Sequence, residues 1–185
     1  MNRVRGISLR RSRARAKINL TPSPLLARIV PWVAIMLASM IPGWFVIASA
    51  PVLPPFGLLM LIAWVQLRPG VLPVWAGLPL GLFDDLFSGQ PIGSGVLLWS
   101  LVVLGLEIVE ARLPWRNFVI ECLVAAGVIS AYIIVCLGLA NLAGAETALL
   151  VILPQIGVAA LTYPLICRLV AMLDRLRLYP FFVIG

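Results

Sequence analysis

Few side chains in this sequence could do chemistry, and the most prominent are two adjacent carboxylates. Asp84 and Asp85 end an apolar run and open onto a turn of small and polar residues, GLFDDLFSGQPIGSG over residues 81–95. Such a pair could serve acid catalysis, hold a cation, form a binding surface, or mark the hydrated end of a helix. The chain has no histidine, which removes the commonest general base and the commonest metal ligand. Cys122, Cys136 and Cys167 lie inside apolar runs without a CxxC spacing and read as small buried hydrophobes. A paired-aspartate intramembrane protease needs its acids on two helices facing each other; here they are neighbours, and no GxGD occurs. A phosphate-binding loop would call for a Lys beside its glycines, and two carboxylates would repel the anion. The pair therefore reads as architecture, and neither a cofactor nor a metal is expected.

The other acids lie near Arg residues. Glu107 and Glu110 share a helix face at i, i+3, Glu121 falls one turn into the next apolar run, and Arg112 and Arg116 lie between. With Arg168 near the end of the last run, these six residues are expected to form a cytoplasmic-side ion-pair network joining the fourth to sixth helices. Polar groups inside the apolar runs are limited mainly to Ser130, Tyr132, Gln155, Thr162 and Tyr163. No polar path links the two sets of acids, which argues against an ion or proton pathway.

The elements that must carry these residues follow from composition. The 185 residues are 62% hydrophobic and only 11% charged, against about 25% charged in soluble domains. Long apolar runs with short polar breaks predict an all-α polytopic integral membrane protein. The alternation of a transmembrane barrel, in segments of about ten residues, is missing. Six transmembrane helices are expected at about 29–50, 52–67, 71–87, 93–109, 118–140 and 148–173. The first run ends in Ala48-Ser49-Ala50, yet it exceeds the roughly 7–15 residues of a signal-peptide core and Pro51 follows directly. It reads as an uncleaved span. Residues 1–28 then form a basic disordered cytoplasmic tail, 29–178 the membrane domain and 179–185 a short C-terminal tail.

Orientation follows from the basic residues. Seven of the 14 Lys and Arg lie in the first 17 positions, and the rest are Arg28, Arg68, Arg112, Arg116, Arg168, Arg175 and Arg177. The intervening segments SAPVLPP, SGQPIGSG and NLAGAET carry none. Both termini are therefore expected in the cytoplasm, with Trp32, Trp64, Trp75 and Trp115 toward the inner face. Positive charge concentrated in a tail favours anionic lipid, at ~1 kcal/mol per residue near the surface. No nucleic-acid partner is expected.

On a helix, Gly77, Asp84, Gly81 and Asp85 fall at about 0°, −20°, 40° and 80°, a single stripe. Gly77-x-x-x-Gly81 is a small-xxx-small surface that lets another helix approach closely. Asp85 is expected to accept backbone N–H groups of the turn that follows and to face the N-terminus of the next helix. Nothing in the spacing assigns a role to Asp84.

The run from Pro55 to Ala111 resembles the rod shape-determining protein MreD family. The likeness lies in a Pro-led short span with a late Trp (PFGLLMLIAWVQL), a Gly-spaced span (AGLPLGLFDDLFSGQPIG) and the apolar span after it (SGVLLWSLVVLGL). Its most specific piece is D-L-x-S-G-x-x-x-G, here Asp85, Leu86, Ser88, Gly89 and Gly93. The resemblance implies a non-enzymatic inner-membrane component of the bacterial cell-elongation machinery, which builds lateral peptidoglycan. It implies association with MreC and, through it, with MreB, a SEDS glycan polymerase and a class B penicillin-binding protein. Gly77, Gly81, Asp85, Ser88, Gly89 and Gly93 would then serve structure and partner docking, with a single-span partner in a groove rimmed by the two glycines. That family is also similar in helix arrangement to the substrate-binding subunits of energy-coupling factor (ECF) transporters. The rival expectation is thus a small-molecule-binding transport subunit, with a pocket among the outer loops, the acidic pair and Gln155.

Overall fold

The computed structural model describes residues 24–44, 53–88, 92–112, 117–144 and 147–177, and within these it is helical with no strand. Six α-helices follow in order: α1 Pro24–Trp44, α2 Phe56–Leu67, α3 Gly77–Ser88, α4 Ser94–Arg112, α5 Phe118–Leu142 and α6 Leu153–Arg177. Short 3-10 turns at Val74–Ala76 and Leu149–Ile152 lead into α3 and α6. Helix α1 begins at Pro24, inside the stretch 1–28 read as tail; the earlier arginines and residues 178–185 lie outside the described residues.

Sequence explains which helix sits at the centre. Helix α2 is apolar on every side, and nine of its 12 residues are buried, including Leu58, Leu59, Leu61, Ile62 and Trp64. A helix with no polar face has no side to present to water and is enclosed by others. The remaining five form a ring in the order α1, α3, α4, α5, α6 and back to α1, and α2 packs against α1, α4, α5 and α6. The ring is tightest between α3 and α4, and loosest from α4 to α5 and from α6 to α1.

Outward faces are apolar as well. Ile29, Val33, Leu37 and Ile41 form an exposed stripe on α1, and Leu97, Leu101, Leu104 and Ile108 one on α4. Helical periodicity puts each set on one side, and such surface suits lipid. Hydroxyls within these helices bond to their own backbone: Ser100 to Val96 O, Ser130 to Ala126 O and Thr162 to Val158 O, at 2.6–2.7 Å. Each of these three hydroxyls is thereby paired within its own helix, as an apolar layer requires.

The stretches Ser94–Arg112, Phe118–Leu142 and Leu149–Arg177 are long and apolar enough to cross a membrane. Helices α2 and α3, at 12 residues each, extend only about 18 Å against a hydrocarbon layer of about 30 Å. The expected third span, 71–87, is in fact a 3-10 turn followed by a short helix. Trp64 is wholly buried in the core; Trp75 is exposed, with its ring 5.7 Å from that of Trp32.

Candidate functional site

Two polar joints occupy opposite ends of the bundle. The first is built on the acidic pair. Helix α4 starts with Gly93 in the position where Ser, Thr, Asp or Asn would usually cap the first turn. Gly93 takes a φ of +99°, a conformation that only glycine adopts freely, and it has no side chain to cap with. Asp85 does that work from the preceding helix. Its carboxylate accepts the N–H of Gly93 at 2.8 Å and of Gly95 at 2.7 Å, with Val96 N–H at 3.4 Å and Ser94 Oγ at 3.5 Å. The side chain is buried, with 3% of the residue exposed. Backbone N–H groups at a helix start carry partial positive charge, so the buried carboxylate is stabilised without a cation.

The glycine stripe makes this approach possible. A Cβ at Gly77 would lie 2.7 Å from Ser100 Cα, and one at Gly81 would lie 2.5 Å from Gly95 O. A Cβ at Gly95 would lie 2.5 Å from Asp85 Oδ1. These neighbours are mostly backbone, which cannot rotate aside, so α3 and α4 meet as closely as their main chains allow. This corrects the expectation of a partner groove: the Gly77–Gly81 stripe is filled by α4 of the same chain. Ser88 is exposed at the end of α3, and Gly89 lies outside the described residues. Asp84 is half-buried, with the Ser39 hydroxyl of α1 in hydrogen-bonding reach of its carboxylate.

The second joint lies where α1 begins and where α2 and α6 end. Asp174 is buried and takes two guanidinium groups, Arg68 at 2.7–2.8 Å and Arg177 at 2.7 Å. Arg177 also donates to Ala27 O at 2.8 Å and lies over the Trp64 ring at 5.3 Å. These ion pairs join α2 to α6, and the hydrogen bond to Ala27 O adds α1. Among the described residues Glu107, Glu121 and Arg168 enter no ion pair, and Arg112 and Arg168 are exposed. Glu107 and Glu110 line a cleft of about 340 Å³ with Arg68, Leu72 and Val103; Arg116 lies outside the described residues.

The contacts Asp174–Arg68 and Gln66–Tyr163, the latter bonded at 2.6 Å, had no signal in local spacing because their partners lie 106 and 97 positions apart; Asp174–Arg177, at i, i+3, is a local pair that the sequence reading passed over. Gln155, expected beside a ligand pocket, donates to Leu53 O at 2.9 Å. With Asp85 also engaged by α4, two of the groups named for that pocket are bound within the chain.

A family model described as rod shape-determining protein MreD matches residues 25–150, from α1 through α5. The chain belongs to the MreD family. The match covers the whole α3–α4 joint and ends before α6 begins. MreD proteins determine rod shape, which makes this a cell-shape family and not an enzyme family. Its family and its long apolar helices both support a membrane protein. Comparison with curated proteins and with solved structures gives no match.

Proposed function

We propose that this MreD-family chain is a non-enzymatic scaffold of the cell-elongation machinery in the bacterial inner membrane. Membership of the rod-shape family carries this reading. In it the six helices make six crossings, α2 and α3 with the help of their flanking turns, and both termini lie in the cytoplasm. Residues 29–178 are the membrane domain. The arginine-rich tail meets anionic lipid, and the short segment 179–185 follows α6. The scaffold holds an MreC-type single-span protein and, through it, MreB, a SEDS glycan polymerase and a class B penicillin-binding protein. Because α4 fills the Gly77–Gly81 stripe, docking uses other faces, and Asp85, Gly93 and the glycines contribute by fixing the α3–α4 joint.

Depletion in a rod-shaped host without a second copy should round the cells, and an MreC-type protein should co-purify from membranes in mild detergent. Rod-shaped growth after depletion would sink the reading. Reporter fusions should place both termini inside and residue 145 outside; the reverse would overturn the orientation.

A further inference from the structure

A cleft opens between the last turns of α2 and α4. Its volume, about 340 Å³, is at the small end of binding clefts, roughly 300–1,000 Å³. Its walls are of two kinds: Val65, Leu72 and Val103 are apolar, while Glu107 and Glu110 bring two carboxylates. Glu107 is exposed and Glu110 half-buried. Two helix C-terminal ends meet here, and their carbonyls add partial negative charge. Arg68 also lines the cleft, but its Nε and Nη2 are held by Asp174 at 2.7–2.8 Å.

A small metal ion would leave the apolar walls unused. A Lys or Arg side chain uses both kinds of wall, its stem against the apolar residues and its charged head at the carboxylates. The occupant that fits is therefore a basic segment, and the chain carries one. Residues 10–17, RRSRARAK, hold five of its 14 basic residues. Helix α1 begins at Pro24. Its Ala27 O is bonded to Arg177, Arg177 to Asp174, and Asp174 to Arg68 on the wall of the cleft. The chain thus enters α1 at the end of the bundle where the cleft lies. Lys17 is seven positions before Pro24, a reach of up to about 25 Å, and Arg10 can reach up to about 50 Å.

We propose that this cleft receives the chain's own segment 10–17, with its cationic side chains at Glu107 and Glu110. A basic segment of another protein would satisfy the same chemistry, but the tether holds this one at an effective concentration on the order of millimolar. Arg3 and Arg5 stay with the lipid contact proposed above. The inference depends neither on the scaffold reading nor on which way the bundle faces in the membrane.

The test uses a carbodiimide, which joins an amine to a carboxylate as an amide, with loss of water and no spacer. Lys17 is the only lysine of the chain, so wild type and the variants Arg11→Lys, Arg13→Lys and Arg15→Lys together present amines at four registers. Full chains are held one per phosphatidylcholine nanodisc, and the joined peptides are identified by mass spectrometry. Glu121, half-buried at the start of α5, is the comparator that a tether alone would reach as well. At least one register should couple to Glu107 or Glu110 about fivefold more often than to Glu121. Raising the salt from about 0.05 to 0.5 M should cut that coupling about fivefold. Three results overturn the proposal: coupling at none of the four registers, coupling to Glu121 as frequent as to the cleft, or coupling that salt leaves unchanged. Coupling seen only between two chains, in discs that hold two copies, would assign the cleft to a neighbour's segment and overturn it too.

Discussion

Replacing Asp85 tests the α3–α4 joint most directly. In Asp85→Ala two short hydrogen bonds disappear, but their losses are unequal. The Gly95 N–H is buried, whereas Gly93 is exposed and its N–H can turn to water. An orphaned buried donor costs about 2–3 kcal/mol when its partner was charged, and a donor that water can rescue about 1 kcal/mol or less. The sum is about 3 kcal/mol, above the 0.5–2 kcal/mol of ordinary cap removal because the carboxylate serves more than one N–H. For a chain of this size, about 2–4 °C per kcal/mol predicts a melting point about 6–12 °C lower in detergent. Asp85→Asn keeps one carbonyl oxygen and turns an amide NH2 toward the other donors, so it should fall between Ala and wild type. Ser88→Ala, on the exposed end of the same helix, should melt with wild type. The reasoning fails if Asp85→Ala melts within about 2 °C of wild type, because a buried carboxylate serving as a cap could not then be removed so cheaply.

Three further outcomes follow from the geometry. Gly81→Ala should lower stability because the new Cβ meets Gly95 backbone, while Gly127→Ala, with open space around it, should raise it by about 0.5–1 kcal/mol through helix propensity; thermal melts of both variants check the pair. Arg177→Ala should cost about 3–5 kcal/mol by leaving Asp174 buried beside a lost partner, whereas Arg68→Ala, whose side chain is 49% exposed, should cost about 1 kcal/mol or less; equal melting of the two would refute the distinction. Tyr163→Phe should cost about 1–2 kcal/mol by stranding the Gln66 amide, and Gln66→Leu in the same chain should recover most of it; a double variant no more stable than Tyr163→Phe would refute the buried bond.

How much of this was legible in the sequence depends on how far apart the partners lie. Asp85 and Gly95 are ten residues apart, so glycine spacing and an acid before a helix start pointed to their contact. The same stripe misled about its occupant, because small-xxx-small says that something packs closely and not whether it belongs to the chain. The ion pairs of Asp174 were not foreseen for a related reason. Glu107, Glu110 and Arg112 are close in sequence, but Asp174 pairs with Arg68 across 106 positions, and no periodicity reports such a distance. Helix α2 was recognisable as short, yet its central place follows only from having no polar side.

That central place explains why α6 carries the polar residues it does. In the six-crossing reading proposed above, a helix about 18 Å long in an apolar layer of about 30 Å leaves its terminal polar groups short of water on both sides. With no water nearby these groups must find partners inside the protein. Helix α6 runs beside α2 in the same direction and supplies them in order: Gln155 to Leu53 O before α2, Tyr163 to Gln66 near its end, and Asp174 to Arg68 just after it. Residues 155, 163 and 174 fall at about 0°, 80° and 100° on a helix, a single side. Apolar packing alone cannot choose a neighbour or a register for α2, since its faces are alike and lipid is as apolar as they are. Three polar contacts from one side of one helix can choose both. In this chain, then, the short helix at the centre and the long polar-sided helix beside it are two parts of one solution, and the buried Asp174 marks where that solution meets the start of α1.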